Sequence, residues 1–145
     1  MNKEKVLITG ASSGIGLTCA IYLTFKGYKV IGTSRHPEKL NKDILKTRYL
    51  EMLTKYKIKN RKSSKETLTI GKIKISKEIF DDLDNLIEEI EFKPLDITDS
   101  NSVSQLIPKL MEDGVRIIVN NAGDGHFGPI ESLSIDHAKE QLDLN

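Results

Sequence analysis

Residues 9–16 read TGASSGIG and follow directly on the apolar run Val6-Leu7-Ile8. Three glycines and two serines in eight positions leave a backbone with few side chains to keep a partner away. An apolar run that stops at a glycine reads as a short buried strand, over residues 5–9. Beyond the glycines, residues 15–26 read as a helix, with Ile15, Cys19, Tyr22, Leu23 and Phe25 offering apolar faces and Gly27 as the stop. A helix N-terminus presents unpaired N–H groups and a partial positive charge. A pyrophosphate can sit there if no Cβ blocks its approach. In the spacing G-x-x-x-G-x-G, Gly10 permits the tight turn, Gly14 lets the backbone meet the phosphates, and Gly16 lets the helix pack close to the sheet. The plain alternative is an ordinary glycine-rich turn; a strand before it and a helix after it weigh against that reading.

Outward from this stretch, strands and helices alternate. Further strands are expected over 28–33 (YKVIGT), 91–97 (EFKPLDI) and 115–120 (VRIIVN), with Pro94 marking an irregular or edge position. Residues 101–112 are helical in pattern, and Pro108 inside them predicts a kink or a late start. Ser134 caps a last helix with Ile135, Ala138 and Leu142 on one face. Such alternation calls for crossover connections and a parallel sheet. The expected fold is therefore α/β, a Rossmann-like doubly wound sheet of about four strands, in one domain over 1–145.

The segment from about 38 to 90 is longer than one crossover helix requires. Residues 38–60 look helical. TLTIGKIKI (67–75) alternates, and its phase flips at Gly71, which either a hairpin turn or a bulge explains. Ser76 then caps a helix through Ile90. Residues 41–66 hold nine Lys/Arg and three Asp/Glu, whereas residues 77–91 hold one and seven. Two solvated faces that attract each other account for this better than a basic docking patch does.

Composition narrows the function. A formal charge of +1 provides no field to draw the protein to nucleic acid or membrane, and aromatic residues are sparse in the basic segment. One cysteine, Cys19, excludes an intrachain disulfide framework and fits a reducing compartment. It is expected in the core, not as a nucleophile. The N-terminal apolar run is too short for a signal peptide, and no run approaches the ~18 residues of a membrane span. A cytoplasmic protein is expected. His36, His126 and His137 lack metal-ligand spacing.

Taken in order, TGASSGIG, LDITD (95–99) and NNAG (120–123) resemble the short-chain dehydrogenase/reductase family, in the TGxxxGxG form of its single-domain members. The resemblance covers about residues 3–36 and 91–145, and nothing carries over onto the middle segment. It implies hydride transfer between a nicotinamide cofactor and a small-molecule carbonyl or secondary alcohol. Gly10, Ser12, Ser13, Gly14, Ile15 and Gly16 would hold the phosphates and ribose. A cofactor reader is expected at the end of the second strand, where a carboxylate would bind the ribose hydroxyls and repel a 2′-phosphate. Ser34 and Arg35 stand there instead, and Arg35 can form charge-assisted bonds to a phosphate. The expected cofactor is NADP(H), with NAD second. His36 is expected as a solvated loop residue.

By the same resemblance, Asp96 would contact the adenine amino group, helped by the backbone of Ile97. Asp99 would cap the next helix. Asn120 would brace the sheet centre through backbone hydrogen bonds, and Asn121, Ala122 and Gly123 would approach the ribose. The loop DGHFGPIESLS, with Gly125 and Gly128, resembles those bordering a substrate pocket, and Phe127 has either a lining or a packing role. Asn145 matches the asparagine of the catalytic group, which organises a water in proton relay. The family's tyrosine acid, four residues before a lysine whose charge lowers its pKa, falls beyond residue 145. Tyr22 and Lys26 have that spacing but sit on the first helix, the wrong context. The 145 residues alone are thus expected to be inactive, and the full-length protein to form homo-oligomers. A non-catalytic dinucleotide-binding or regulatory protein is the alternative.

Overall fold

A computed structural model describes residues 3–55, 67–70, 73–125, 129, 131 and 134–144. Four strands form one parallel sheet: β1 (Lys5–Ile8), β2 (Lys29–Ser34), β5 (Glu91–Pro94) and β6 (Val115–Val119). Their order is β5-β2-β1-β6, so the first strand is central and the chain departs from it in both directions. Val6 pairs with Val30, and Leu7 with Ile31. Pro94, which has no N–H to donate, ends β5 at the sheet edge. This is the doubly wound α/β architecture expected from the alternating pattern.

Side chains alternate across a strand, and the two faces of the sheet bury different partners. Val6, Ile8 and Val30 face a layer built by α1 (Gly14–Phe25), α2 (Lys42–Lys55), α3 (Lys77–Asp81) and α4 (Leu83–Glu88). Leu7 and Ile31 face Leu110 of α5 (Ser100–Glu112), with Leu106 and Ile107 beside it. The Asp99 side chain caps α5 by accepting from the N–H of Asn101, as expected. The helix begins at Ser100 and continues through Pro108, so the late start is not found.

Helix α1 turns a different face to the sheet than its bulky residues indicate. Gly16, Leu17, Ala20, Ile21 and Thr24 are buried, whereas Ile15 is 74% and Tyr22 49% exposed. The helix packs on β2, and its buried face mixes the small Gly16, Ala20 and Thr24 with Leu17 and Ile21. Positions 17, 20, 21 and 24 follow the helical period that the larger residues obscured. Cys19 packs at the margin of the core, and partial burial pushes its thiol pKa up. Lys26 Nζ lies 5.4 Å from the Tyr22 ring centre, a cation–π contact on the outer surface.

The long segment between β2 and β5 folds onto α1. It holds a 3-10 turn (Pro37–Lys39), α2, then β3 (Thr67–Ile70) and β4 (Ile73–Ser76), then α3 and α4. The phase flip at Gly71 is a hairpin: β3 and β4 pair antiparallel, Ile70 opposite Ile73. Gly71 itself and residues 56–66 lie outside the described residues. The helix expected from Ser76 through Ile90 is two helices. At φ −110° and ψ 11°, Asp82 leaves the helical region, and its carboxylate accepts from the Asn85 amide at 2.5 Å. Among the described residues, two of the basic side chains face the acidic helix. Lys42 pairs with Glu88 at 2.6 Å and Lys46 with Asp84 at 2.7 Å, joining α2 to α4.

Helix α6 (Ile135–Leu144) starts where expected, with the Ser134 Oγ accepting from the N–H of His137. None of its described residues is buried, and Leu142 is 80% exposed. Ile117 and Ile118 on the edge strand β6 are also exposed. Among the described residues, no helix is long and apolar enough to cross a membrane.

Tyr49 of α2 is buried against Phe80, ring centres 6.3 Å apart, and burial pushes its phenol up to about 12. An unfolded tyrosine titrates near pH 10. The native state therefore holds this proton more tightly, and its contribution is intact below about pH 10 and lost as pH rises towards about 12. Urea midpoints measured between about pH 8 and pH 12 should fall more steeply for the wild type than for Tyr49→Phe. Parallel curves would contradict this.

Candidate functional site

A parallel sheet directs its unfinished strand ends and the loops after them to one edge, where ligands of such folds bind. Here that edge carries a cleft of about 690 Å³. Gly10, Ser12, Ser13, Gly14 and Ile15 reach it from β1, and Ser34 and Arg35 from β2. Asp96 and Ile97 follow β5, and Asn121, Ala122 and Gly123 follow β6. Four loops far apart in the chain thus bring all of these residues to one place. Gly16 lies just behind the wall. Tyr22 is not among the lining residues. Asn145, His126, Phe127 and Gly128 lie outside the described residues.

The wall is held by hydrogen bonds between the ends of β1 and β6. The Thr9 hydroxyl accepts from the N–H of Asn121 and of Ala122, both at 2.9 Å. The Asn121 amide donates to the carbonyls of Thr9 at 2.9 Å and Gly10 at 3.2 Å. A side chain on Gly16 would collide with that amide and with the Gly10 carbonyl, and one on Gly10 would come within 2.8 Å of Ala122 Cα. Gly16 therefore accommodates the brace as well as helix packing. Gly10 and Gly14 have φ of +66° and +56°, values that L residues rarely adopt. The bracing expected of Asn120 is performed by Asn121, while Asn120 is exposed. The amide of Asn121 points inward, where the carbonyls of Thr9 and Gly10 both lie within its reach.

The first turn of α1 is open. Ser13 at its N-cap makes no side-chain cap bond, and no acidic residue occupies the turn. The first intrahelical bond is from Leu17 N–H to the Ser13 carbonyl, so the preceding amides remain available. The Ala11 N–H bonds to the Thr33 carbonyl at 3.0 Å and fastens this loop to the end of β2. There the Ser34 Oγ accepts from the His36 N–H at 3.3 Å, and Arg35 is exposed. His36 is solvated, as expected, and contacts Glu38 at 3.2 Å. Asp96 accepts from the Thr98 hydroxyl at 2.7 Å and the Thr98 N–H at 3.0 Å. These bonds, with the Arg35 charge, hold its carboxyl below the usual carboxylate range.

The middle segment also contributes to the cleft, which sequence reasoning missed. Lys39, Leu40, Arg48 and Met52 line it. Arg48 Nη1 donates to the Ser12 carbonyl at 3.0 Å, and Met52 Sδ lies 3.0 Å from the Thr18 hydroxyl of α1. A signal existed. Leu45, Tyr49 and Leu53 form the buried stripe of α2, and Arg48 and Met52 flank it at a spacing of four. Among the described residues, no group of three or more His, Cys, Asp or Glu could hold a metal.

Residues 4–69 match the family model described as short chain dehydrogenase. The probable short-chain type dehydrogenase/reductase VdlC of Helicobacter pylori is 28% identical over 141 residues, 96% of this chain and 36% of its own length. This chain is related to the short-chain dehydrogenases. Retinol dehydrogenase 8 of Bos taurus is 31% identical over 143 residues, 97% of this chain and 35% of the relative. Among solved structures, ElxO with NADP bound superposes with a TM-score of 0.61 at 25% identity, covering 99% of this chain and 44% of ElxO. The chain thus spans little more than a third of the length of these two relatives.

Thr9→Val keeps the shape of residue 9 but removes the acceptor for two backbone N–H groups. An unsatisfied buried donor costs about 1–3 kcal/mol, and these donors are part-buried, so urea unfolding of Thr9→Val should show a loss of up to about that size. Wild-type stability in this variant would show that the brace is dispensable.

Proposed function

We propose that this chain forms the NADP(H)-binding portion of a short-chain oxidoreductase. The whole protein would transfer a hydride between the nicotinamide and a small-molecule carbonyl or secondary alcohol. The observation that carries the reading is the open first turn of α1, reached over a wall where Cβ atoms are excluded and facing a cleft at the carboxyl ends of the strands. The site fits the cofactor. Its volume lies within the roughly 300–1,000 Å³ of ligand pockets, and free amides with a helix dipole suit a pyrophosphate.

Bound NADP(H) supplies the hydride chemistry. The chain's own residues bind and orient. Gly10, Ser12, Ser13, Gly14 and Ile15 receive the phosphates and the adjoining ribose, and Gly16 lets that wall close. Asp96, ionised at neutral pH, and the backbone of Ile97 face the adenine. Ala122, Gly123 and the backbone of Asn121 border the nicotinamide ribose, where a small residue and a glycine leave room. Asn145 takes the positioning role that the resemblance assigns it in proton relay.

Three observations favour NADP(H) over NAD(H). The end of β2 carries Ser34 and Arg35 and no carboxylate. Arg35 is exposed at the cleft and in no ion pair among the described residues. ElxO, 25% identical, has been solved with NADP bound. A cytoplasmic location, and association of full-length copies, belong to the same proposal. The free Cys19 supports the location, and the resemblance implies the association.

Calorimetry on the intact protein tests the reading. Wild type should bind NADPH more tightly than NADH. Arg35→Ala should weaken NADPH by about tenfold or more, as expected for a lost charge-assisted phosphate contact, and leave NADH nearly unchanged. Equal NADPH affinity in both proteins would overturn the role of Arg35. No binding of either nucleotide to folded wild type would overturn the reading itself.

A further inference from the structure

The cations of α2 are not equivalent. Lys42 and Lys46, four residues apart, point to one side and are neutralised by Glu88 and Asp84 of α4. Arg48 lies about 200° around the helix from Lys46 and reaches the cleft instead. It meets no carboxylate among the described residues. Its one hydrogen bond there is from Nη1 to the Ser12 carbonyl at 3.0 Å. A guanidinium has five N–H donors in a rigid fork, so four remain for a ligand. Ser12 adjoins the Ala11 N–H that bonds to Thr33, and Thr33 precedes Ser34 and Arg35. Arg48 is thus anchored to the glycine loop between the residue fastened to the end of β2 and the N-cap of α1.

Accepting the dinucleotide reading above, we infer that Arg48 is a second cation for the 2′-phosphate of NADP(H), delivered by the segment between β2 and β5. A phosphate monoester carries about −1.5 to −2 charges at neutral pH, and Arg35 can balance only one of them. Hydroxyls at Ser12 and Ser34 add donors but no charge. Arg48 provides the second charge, held in place before the ligand arrives, which reduces the ordering cost of binding. Lys39 also lines the cleft, but no hydrogen bond among the described residues holds its ammonium. The extra segment therefore helps to select the cofactor as well as to cover α1.

The test measures NADPH and NADH affinity by calorimetry on the intact protein as wild type, Arg48→Ala and Arg48→Gln, with melting temperatures for each. Gln keeps an N–H donor for the Ser12 carbonyl and removes the charge. Both variants should bind NADPH about tenfold or more weakly, with NADH within about twofold and a shallower dependence of NADPH binding on salt. Retention of NADPH affinity in Arg48→Gln, or an equal loss for both nucleotides, would overturn the inference. Either result leaves the dinucleotide reading intact provided wild type binds NADPH. If folded wild type binds neither nucleotide, that reading falls, and Arg48's role with it.

Discussion

The close approach of two strand ends governs this structure. Where β1 and β6 finish side by side, the Thr9 hydroxyl takes two N–H groups from the far strand, and the Asn121 amide returns two hydrogen bonds to the near one. Four bonds in so small a volume require the backbones to approach closely. They can do so only because Gly10 and Gly16 carry no Cβ and Ala122 has a small one. The direction of α1 follows from that contact, and with it the face the helix turns to the sheet and the position of its open first turn. The brace stabilises the fold and shapes the cleft at once.

Two helices begin beside the cleft, and their starts differ in a way that separates structure from function. Asp99 caps α5 and occupies the amide that a ligand would otherwise use. Ser13 stands at the same position of α1 and leaves the amides free. An uncapped helix start gives up about 1 kcal/mol of available stability, a cost consistent with a turn kept open for an anion. The surrounding charges agree. Arg35, Lys39 and Arg48 reach the cleft from three different places in the chain, against Asp96 and Asp124.

The segment between β2 and β5 has two physical roles. Its apolar stripe, Leu45, Tyr49 and Leu53, joins Leu83, Leu86 and Ile87 in covering α1. Its charged sides are sorted, with lysines turned to the carboxylates of α4 and the arginine turned to the cleft. An exposed ion pair contributes little to stability by itself, so the buried stripe of Leu45, Tyr49 and Leu53 sets how α2 is rotated about its axis, and Lys42–Glu88 and Lys46–Asp84 agree with that rotation. That rotation is what places Arg48 over the glycine loop.

Much of this was legible in the residues alone. An apolar run ending at Gly10, repeated strand–helix alternation and the stop at Gly27 determined the parallel α/β architecture, because backbone geometry at glycine is a local property, whereas the strand expected over 91–97 ends already at Pro94. Most residues of the glycine loop, Ser34 and Arg35 at the end of β2, and Asn121, Ala122 and Gly123 of NNAG line one cleft. Tertiary structure alone decided the rest. Which asparagine of the pair at 120 and 121 braces the loop depends on where the carbonyls of Thr9 and Gly10, 112 and 111 residues from Asn121, come to lie. Whether α1 presents Tyr22 or Ala20 to the sheet depends on how closely the helix approaches. Arg48 joins the cleft only through the rotation of α2, set by the packing of its buried stripe on α1 and on helices some 40 residues further on. Local sequence encodes turns and periodicity; distances between segments remote in the chain arise only when the core closes.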